Sequence, residues 1–175
     1  MQGPSTSDSL KQKLLDSGAV KFGDFTLTSG KKSNYYVDLK LASTDPSILS
    51  LISKEFSKLI PENVDFIAGM ELGAVPLATA LSLETGIPYS MIRKSGREHG
   101  TGSRIEGPKN GRAVLVDDVA TTGGSNMESV EILTNAGAEV AKILVVVDRE
   151  EGAAEKLSNL NIDYESLVLV SDLVD

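Results

Sequence analysis

Between residues 64 and 170 short apolar runs without polar alternation recur, most of them followed by a stretch with helical spacing. The runs at 64–68, 88–92, 113–116 and 141–147 read as strands and 167–170 as extended. Residues 75–83, 125–135 and 151–160 read as helices, with Gly86 and Gly137 placed to end the first two. A strand that is apolar on both faces cannot leave either face in water, and a helix between consecutive strands supplies the crossover that parallel pairing needs. These constraints predict an α/β fold, a parallel sheet flanked by helices.

The first sixty residues are organised differently. Residues 7–17 read as a helix, with Leu10, Leu14 and Leu15 on one face and Gly18 behind it. Residues 22–41 mix turn formers with Tyr and Val and read as hairpin-like. Asp45-Pro46 is a helix start, an N-cap followed by proline in the first helical position, and Leu49, Ile52, Phe56 and Leu59 carry the 3.6-residue period up to Pro61. A length of 175 residues predicts one domain, 1–175, large enough to bury a core without staples. The absence of cysteine excludes a disulfide framework, a thiol nucleophile and a Cys-based metal site, and the single His99 excludes a site built from several histidines. The longest apolar run, 143–147, is far too short to span a membrane, and residues 1–8 lack the basic-then-apolar pattern of a signal peptide, so no membrane partner and a cytoplasmic location are expected.

Charge is unevenly distributed. The chain has 17 Lys and Arg against 25 Asp and Glu, a net charge of -8, yet residues 93–112 carry +4 and the remainder -12. An acidic body with one basic segment argues against nucleic-acid binding, which needs a broad basic face, and fits a small anionic ligand. Within that segment Gly96, Gly100, Gly102 and Gly107 make a regular element unlikely to persist, while Arg93, Lys94, Arg97, His99 and Arg104 load it with donors. Residues 93–108 therefore read as a lid that closes over something negative, with diphosphate the obvious candidate. Cations closing over a leaving diphosphate stabilise charge that grows as a bond to it breaks, and His99 could donate a proton.

The strongest local signal is VLVDDVATTGGS, residues 114–125. An apolar strand runs into two carboxylates, then a Thr/Gly loop, then a helix. Ligands in parallel α/β sheets sit beyond the carboxyl ends of strands, where Asp117 and Asp118 fall and can accept hydrogen bonds from a diol. Gly123 and Gly124 allow close backbone approach, and Thr121, Thr122 and Ser125 add hydroxyls beside a helix N-terminus, which together make a phosphate cradle. The arrangement suits a ribose 5-phosphate, and no Gly-Lys-Ser/Thr of a Walker A loop is present.

This string resembles the phosphoribosyl diphosphate (PRPP) motif of type I phosphoribosyltransferases. FTLTSGKKSNYYVDLK (25–40), IRKSGREHGTGSRIEG (92–107) and VVVDREEGA (145–153) are similar to the N-terminal segment, mobile catalytic loop and late strand of orotate phosphoribosyltransferases. The resemblance implies a type I phosphoribosyltransferase-like fold with a small N-terminal hood, mainly residues 20–42. It implies transfer of ribose 5-phosphate from PRPP to orotate, with Mg²⁺ held mainly by PRPP and water rather than by a protein ligand, and a homodimer whose lid acts across subunits. Asp117, Asp118, Arg97 and His99 would be catalytic. PRPP would be bound by Arg93, Lys94, Arg97, His99, Asp117, Asp118, Val119, Ala120, Thr121, Thr122, Gly123, Gly124 and Ser125.

For orotate the implied contacts are Thr121 and Arg149, with Lys31 and Tyr35 beside them. A guanidinium can grip a carboxylate or an imide through two parallel hydrogen bonds. Taken alone, Arg149 reads equally as an ion-pair partner of Asp148, Glu150 or Glu151, and Tyr35 and Tyr36 equally as hairpin packing or as an apolar wall. Three positions depart from the family pattern: Thr28 and Leu72 stand where many members have lysine, and Arg97 where many have lysine, which shifts electrostatic load to the lid and to Mg²⁺. A purine phosphoribosyltransferase and a non-catalytic PRPP sensor are the rival readings. The 25–40 string and Arg149 speak against the first, the net charge against the second.

Overall fold

The computed structural model describes residues 6–26, 32–95 and 103–174. In chain order the elements are α1 (Thr6–Asp16), β1 (Val20–Thr26), β2 (Lys32–Val37), α2 (Leu39–Ala42), α3 (Pro46–Ser57), β3 (Phe66–Met70), α4 (Ala74–Thr85) and β4 (Tyr89–Ile92). They continue with β5 (Ile105–Glu106), β6 (Gly111–Ala120), α5 (Gly124–Asn135), β7 (Ala138–Asp148), α6 (Ala153–Ser158), β8 (Asp163–Leu169) and α7 (Ser171–Val174). A six-stranded sheet runs in the order β5-β4-β3-β6-β7-β8, and β1 and β2 form a separate antiparallel pair. The central strands are parallel throughout.

The lack of polar alternation in these strands has a direct explanation. Val114, Val116, Leu144 and Val146 face one buried cluster, with α1, α3, α4 and the base of the β1–β2 hairpin. Ala113, Leu115, Ile143 and Val145 face the other, with α5 and α6. Successive side chains point to opposite faces, and both faces are covered. Helix α3 starts as its sequence predicts: the Asp45 carboxylate accepts from the Ser47 N–H at 2.7 Å, with Pro46 in the first turn. Gly86 closes α4 in the left-handed conformation, φ 75°.

Four expectations need correction. The hairpin-like stretch ends at Val37, and Leu39–Ala42 is helical because Leu39 and Ala42, three apart, are buried on one face. The basic segment is not devoid of regular structure: Ile105 and Glu106 pair antiparallel with Ile92 and Met91, so the sheet is mostly rather than wholly parallel. The cause is Ile105, which is buried beside its strand partner Ile92 in the same apolar cluster, a placement that the glycine count conceals. Strands β6 and β7 are longer than their apolar runs, since ladder pairing carries β6 past Asp117 and Asp118 to Ala120. The late helix shrinks to Ala153–Ser158, because Glu150 (φ 57°) and Gly152 (φ 101°) turn the chain before it. Among the described residues no helix is long and apolar enough to cross a membrane.

Phe56 is fully buried at the centre of the cluster beneath α3. Phe56→Ala is expected to lower unfolding free energy by about 3–5 kcal/mol in urea titration, and a change below about 1 kcal/mol would show that α3 is not part of the core.

Candidate active site

The acid pair lies where β6 outruns β3. Asp117 Oδ1 accepts from the Asp118 N–H at 2.9 Å, and its Oδ2 accepts from the Asn126 side-chain amide at 2.9 Å. Asn126 is itself buried in the first turn of α5, so the carboxylate is tied to the helix that follows it. Burial, followed by the neighbouring charge of Asp118, pushes the Asp117 carboxyl up to about 8. Asp118 is more open: its Oδ1 accepts from the Val119 N–H at 2.9 Å and its Oδ2 lies 3.9 Å from Lys40 Nζ.

Beyond the pair, the chain turns through Thr121, Thr122 and Gly123 into α5. Gly123 holds the N-cap position at φ 73°, a conformation that L side chains rarely adopt, and no side chain caps the helix. The first amides of α5 are thus left for another acceptor, beside the exposed Thr122, Gly124 and Ser125. Ala120 is buried and its carbonyl accepts from the Arg149 N–H at 2.9 Å.

This last bond brings Arg149 to the same sheet end. Its guanidinium pairs with Glu151 at 2.9 Å and stacks 5.2 Å from the centre of the Tyr35 ring, while its buried Nε has no hydrogen-bond partner among the described residues. Both roles left open by the sequence are therefore visible: an ion pair, and a donor still free. Tyr164 donates to Asp148 Oδ2 at 2.8 Å, and Asp148 Oδ1 accepts from the Glu150 N–H at 2.7 Å, which braces the turn that carries Arg149. Burial and that contact with Asp148 raise the Tyr164 phenol above the usual tyrosine range.

One cavity of about 590 Å³ is bordered at once by Asp118, Val119, Thr121, Thr122, Arg149 and Tyr36. A smaller one of about 90 Å³ is bordered by Asp117, Asp118, Ser125, Lys94 and the loop Met70, Glu71, Leu72 and Gly73. Tyr35, on the opposite face of β2 from Tyr36, borders a third cavity of about 700 Å³ together with Lys32 and Arg149. Arg93 is not brought to the acid pair: its Nε lies 3.2 Å from Glu106. Arg97, His99 and Lys31, together with Thr28, lie outside the described residues.

Three contacts at the site escaped the reading of the sequence. Lys40 stood inside the 25–40 string, but only the packing of α2 on β6 reveals that it faces Asp118. Glu71 accepts from the Lys94 N–H at 2.8 Å and donates its own N–H to the Ile92 carbonyl, a tie between two loops without a local signal. Gly73 is needed for space: a Cβ there would lie 2.0 Å from Asp118 Oδ2.

A strand-end acid pair, an uncapped helix beyond it and a parallel sheet define the phosphoribosyltransferase class, and residues 46–168 match the phosphoribosyl transferase domain. The orotate phosphoribosyltransferase of Pyrococcus abyssi is 52% identical over 173 residues, 96% of this chain and 95% of that one. Orotate phosphoribosyltransferase of Mycobacterium tuberculosis H37Rv, solved in complex with PRPP, has a TM-score of 0.80 at 30% identity, covering 97% of this chain and 99% of that one. Leishmania donovani UMP synthase has a TM-score of 0.83 at 39% identity over 98% of this chain, which spans 37% of that longer one. The chain belongs to the orotate phosphoribosyltransferase family.

The folded chain holds the Asp117 proton up to about pH 8, whereas the unfolded chain releases it near 3.8. The native state therefore binds more protons across that window, and the contribution of this group to stability falls as pH rises through it. Asp118→Asn removes the neighbouring charge, the second largest cause of the shift, and narrows the window. Urea midpoints are expected to drop less between about pH 5 and about pH 9 in Asp118→Asn than in the parent chain, and an equal drop would count against the coupling.

Proposed function

We propose that this chain transfers ribose 5-phosphate from PRPP to orotate, giving orotidine 5′-monophosphate and diphosphate in pyrimidine nucleotide synthesis. The carrying observation is the cavity that joins Asp118, the Thr121–Thr122 turn and Arg149, groups suited to a sugar, a phosphate and an acidic base respectively. The relatives named above support the choice of base.

In this mechanism the 5-phosphate takes the open amides of α5 and the hydroxyls of Thr121, Thr122 and Ser125. The acid pair holds the ribose hydroxyls; Asp117, retaining its proton to about pH 8, is a donor as well as an acceptor there. A ring nitrogen of orotate loses its proton and bonds to the anomeric carbon while the bond from that carbon to diphosphate breaks; the electron pair leaves with the diphosphate, which takes up the proton. No covalent enzyme intermediate is needed. The carboxylate of Asp118 stabilises positive charge that develops on the sugar, and the cations of the basic segment stabilise the leaving group.

Arg149 meets orotate through its guanidinium, which borders the cavity and lies over the Tyr35 ring. Mg²⁺ would be held through substrate oxygens and water, since both oxygens of Asp117 already accept hydrogen bonds. Bound there, it neutralises the diphosphate. The working unit is a homodimer in which part of each basic segment serves the neighbouring subunit.

Orotate absorbance should fall with time when PRPP and Mg²⁺ are added, and hypoxanthine, adenine and uracil should not be consumed. Turnover of another base would overturn the assignment of Arg149. Asp117→Asn combined with Asp118→Asn is expected to lower kcat by at least about 100-fold, and unchanged kcat would remove the acid pair from the mechanism. Arg97→Ala mixed with that double variant should regain activity through hybrid dimers, whereas none after confirmed subunit exchange would place the segment within its own subunit.

A further inference from the structure

Arg104 has no individual role in the mechanism just described, yet among the described residues of the basic segment its guanidinium is the most heavily engaged group. It stands one residue before β5, on the arm that returns to the sheet. Its Nε donates to the Arg93 carbonyl at 2.9 Å, and its Nη2 donates to the Lys94 carbonyl and to Glu128 Oε1, the latter at 2.7 Å. The Arg104 carbonyl in turn accepts from the Arg93 N–H at 2.8 Å. Glu128 belongs to α5, one turn beyond Ser125.

The outgoing arm is held from its other side as well. The Lys94 N–H donates to Glu71, and the Lys94 carbonyl is taken by Arg104, so the peptide groups on both sides of Lys94 are fixed. Lys94 borders the small cavity with Asp117, Asp118 and Ser125, whereas the Arg93 side chain is directed to Glu106. A long cationic side chain gives up rotamer freedom to adopt one such geometry, and an exposed carbonyl accepts from water without its help. What the geometry adds is direction.

We propose that Arg104 is a positioning residue for Lys94: by bridging the two arms of the basic segment to α5, it sets how Lys94 enters the acid-pair cavity and so strengthens binding of the diphosphate of PRPP, an inference that rests on the function proposed above. The planar fork is essential, because an ammonium has no fixed set of donor directions with which to serve two successive carbonyls and a carboxylate.

The test uses the full chain and five variants: Arg104→Gln, Arg104→Lys, Glu128→Ala, Lys94→Ala and the Arg104→Gln/Lys94→Ala pair. PRPP affinity is read by calorimetry with Mg²⁺ present, and KM is measured for each substrate. Arg104→Gln is expected to weaken PRPP binding and raise its KM about tenfold, with the KM for orotate changed by less than about twofold. Arg104→Lys should not restore affinity, and Glu128→Ala should shift it in the same direction by less. In the Lys94→Ala background, Arg104→Gln should cost less than about twofold more, since the route through Lys94 is already closed.

Rescue by Arg104→Lys, equal losses for both substrates, or losses that multiply in the double variant would overturn the proposal. Should Arg104→Gln fail to fold, Glu128→Ala carries the test, its side chain being 47% exposed. A parent chain that binds PRPP but converts no orotate would refute the proposed reaction and leave the calorimetric comparison to decide on Arg104. A parent chain that converts orotate while Arg104→Gln and Glu128→Ala bind PRPP normally would refute the role of Arg104 alone.

Discussion

The pairing of β6 with β7 is the constraint on which the site depends. The two strands run in parallel from Gly111 opposite Ala138 to Ala120 opposite Asp148, with one irregularity between Ala113 and Val114. That register brings the acid pair and Arg149 to the same edge, and the Arg149 N–H closes the ladder on the Ala120 carbonyl. A slip of one residue would reverse the faces of every side chain in the strand and bury Asp117 and Asp118 on the wrong sides. Because both faces of β6 are apolar and covered by separate helical layers, slippage would also break two clusters at once. Core packing and site geometry are thus selected together.

Asp117 shows what that packing costs the site. A carboxyl group placed among apolar strands and next to a second acid resists ionisation, and only two hydrogen bonds favour its charged form. The tie to Asn126 makes the acid pair and the N-terminus of α5 one rigid unit, since Asn126 is buried and cannot relax independently. Gly73 completes the fit from the opposite side, where any side chain would displace the Asp118 carboxylate. Preorganisation here comes from burial and from a missing Cβ, with few charges involved.

How much of this is legible in the sequence depends on the range of the interaction. Asp117, Asp118 and the Gly123 turn are local: a strand end, a loop and a helix start occupy twelve consecutive residues and announce their chemistry together. The N-cap of Asp45 and the terminator Gly86 are local in the same sense. Lys40, Glu71 and Gly73 are not, because each acts on a partner that only the tertiary fold brings near, and nothing in VDLK or MELG marks them. β5 was concealed for another reason: two residues beside four glycines are too short a run to show a strand period, and the burial of one isoleucine holds them in the sheet. Arg149 lies between these cases, its place evident from the strand before it and its partner visible only in three dimensions.

The division of charge follows from the same topology. In an acidic chain whose sheet edge carries two carboxylates, a polyanionic substrate needs cations that the parallel strands cannot supply without burying them unpaired. The described cations that border the acid-pair cavity are Lys40 and Lys94. Lys40 comes from the helix after the hairpin, and Lys94 from the segment between β4 and β5; neither belongs to a central strand. Leu72, at a position where lysine would be an obvious alternative, is 71% exposed and brings no charge. The sheet therefore contributes acceptors and open amides, while positive charge is carried by elements appended to it and held in direction through their backbone, as Glu71 and Arg104 hold the peptide groups on both sides of Lys94. A cation held by its peptide groups keeps its ammonium free for the substrate, whereas one held by a salt bridge, as Arg93 is by Glu106, spends its charge inside the protein.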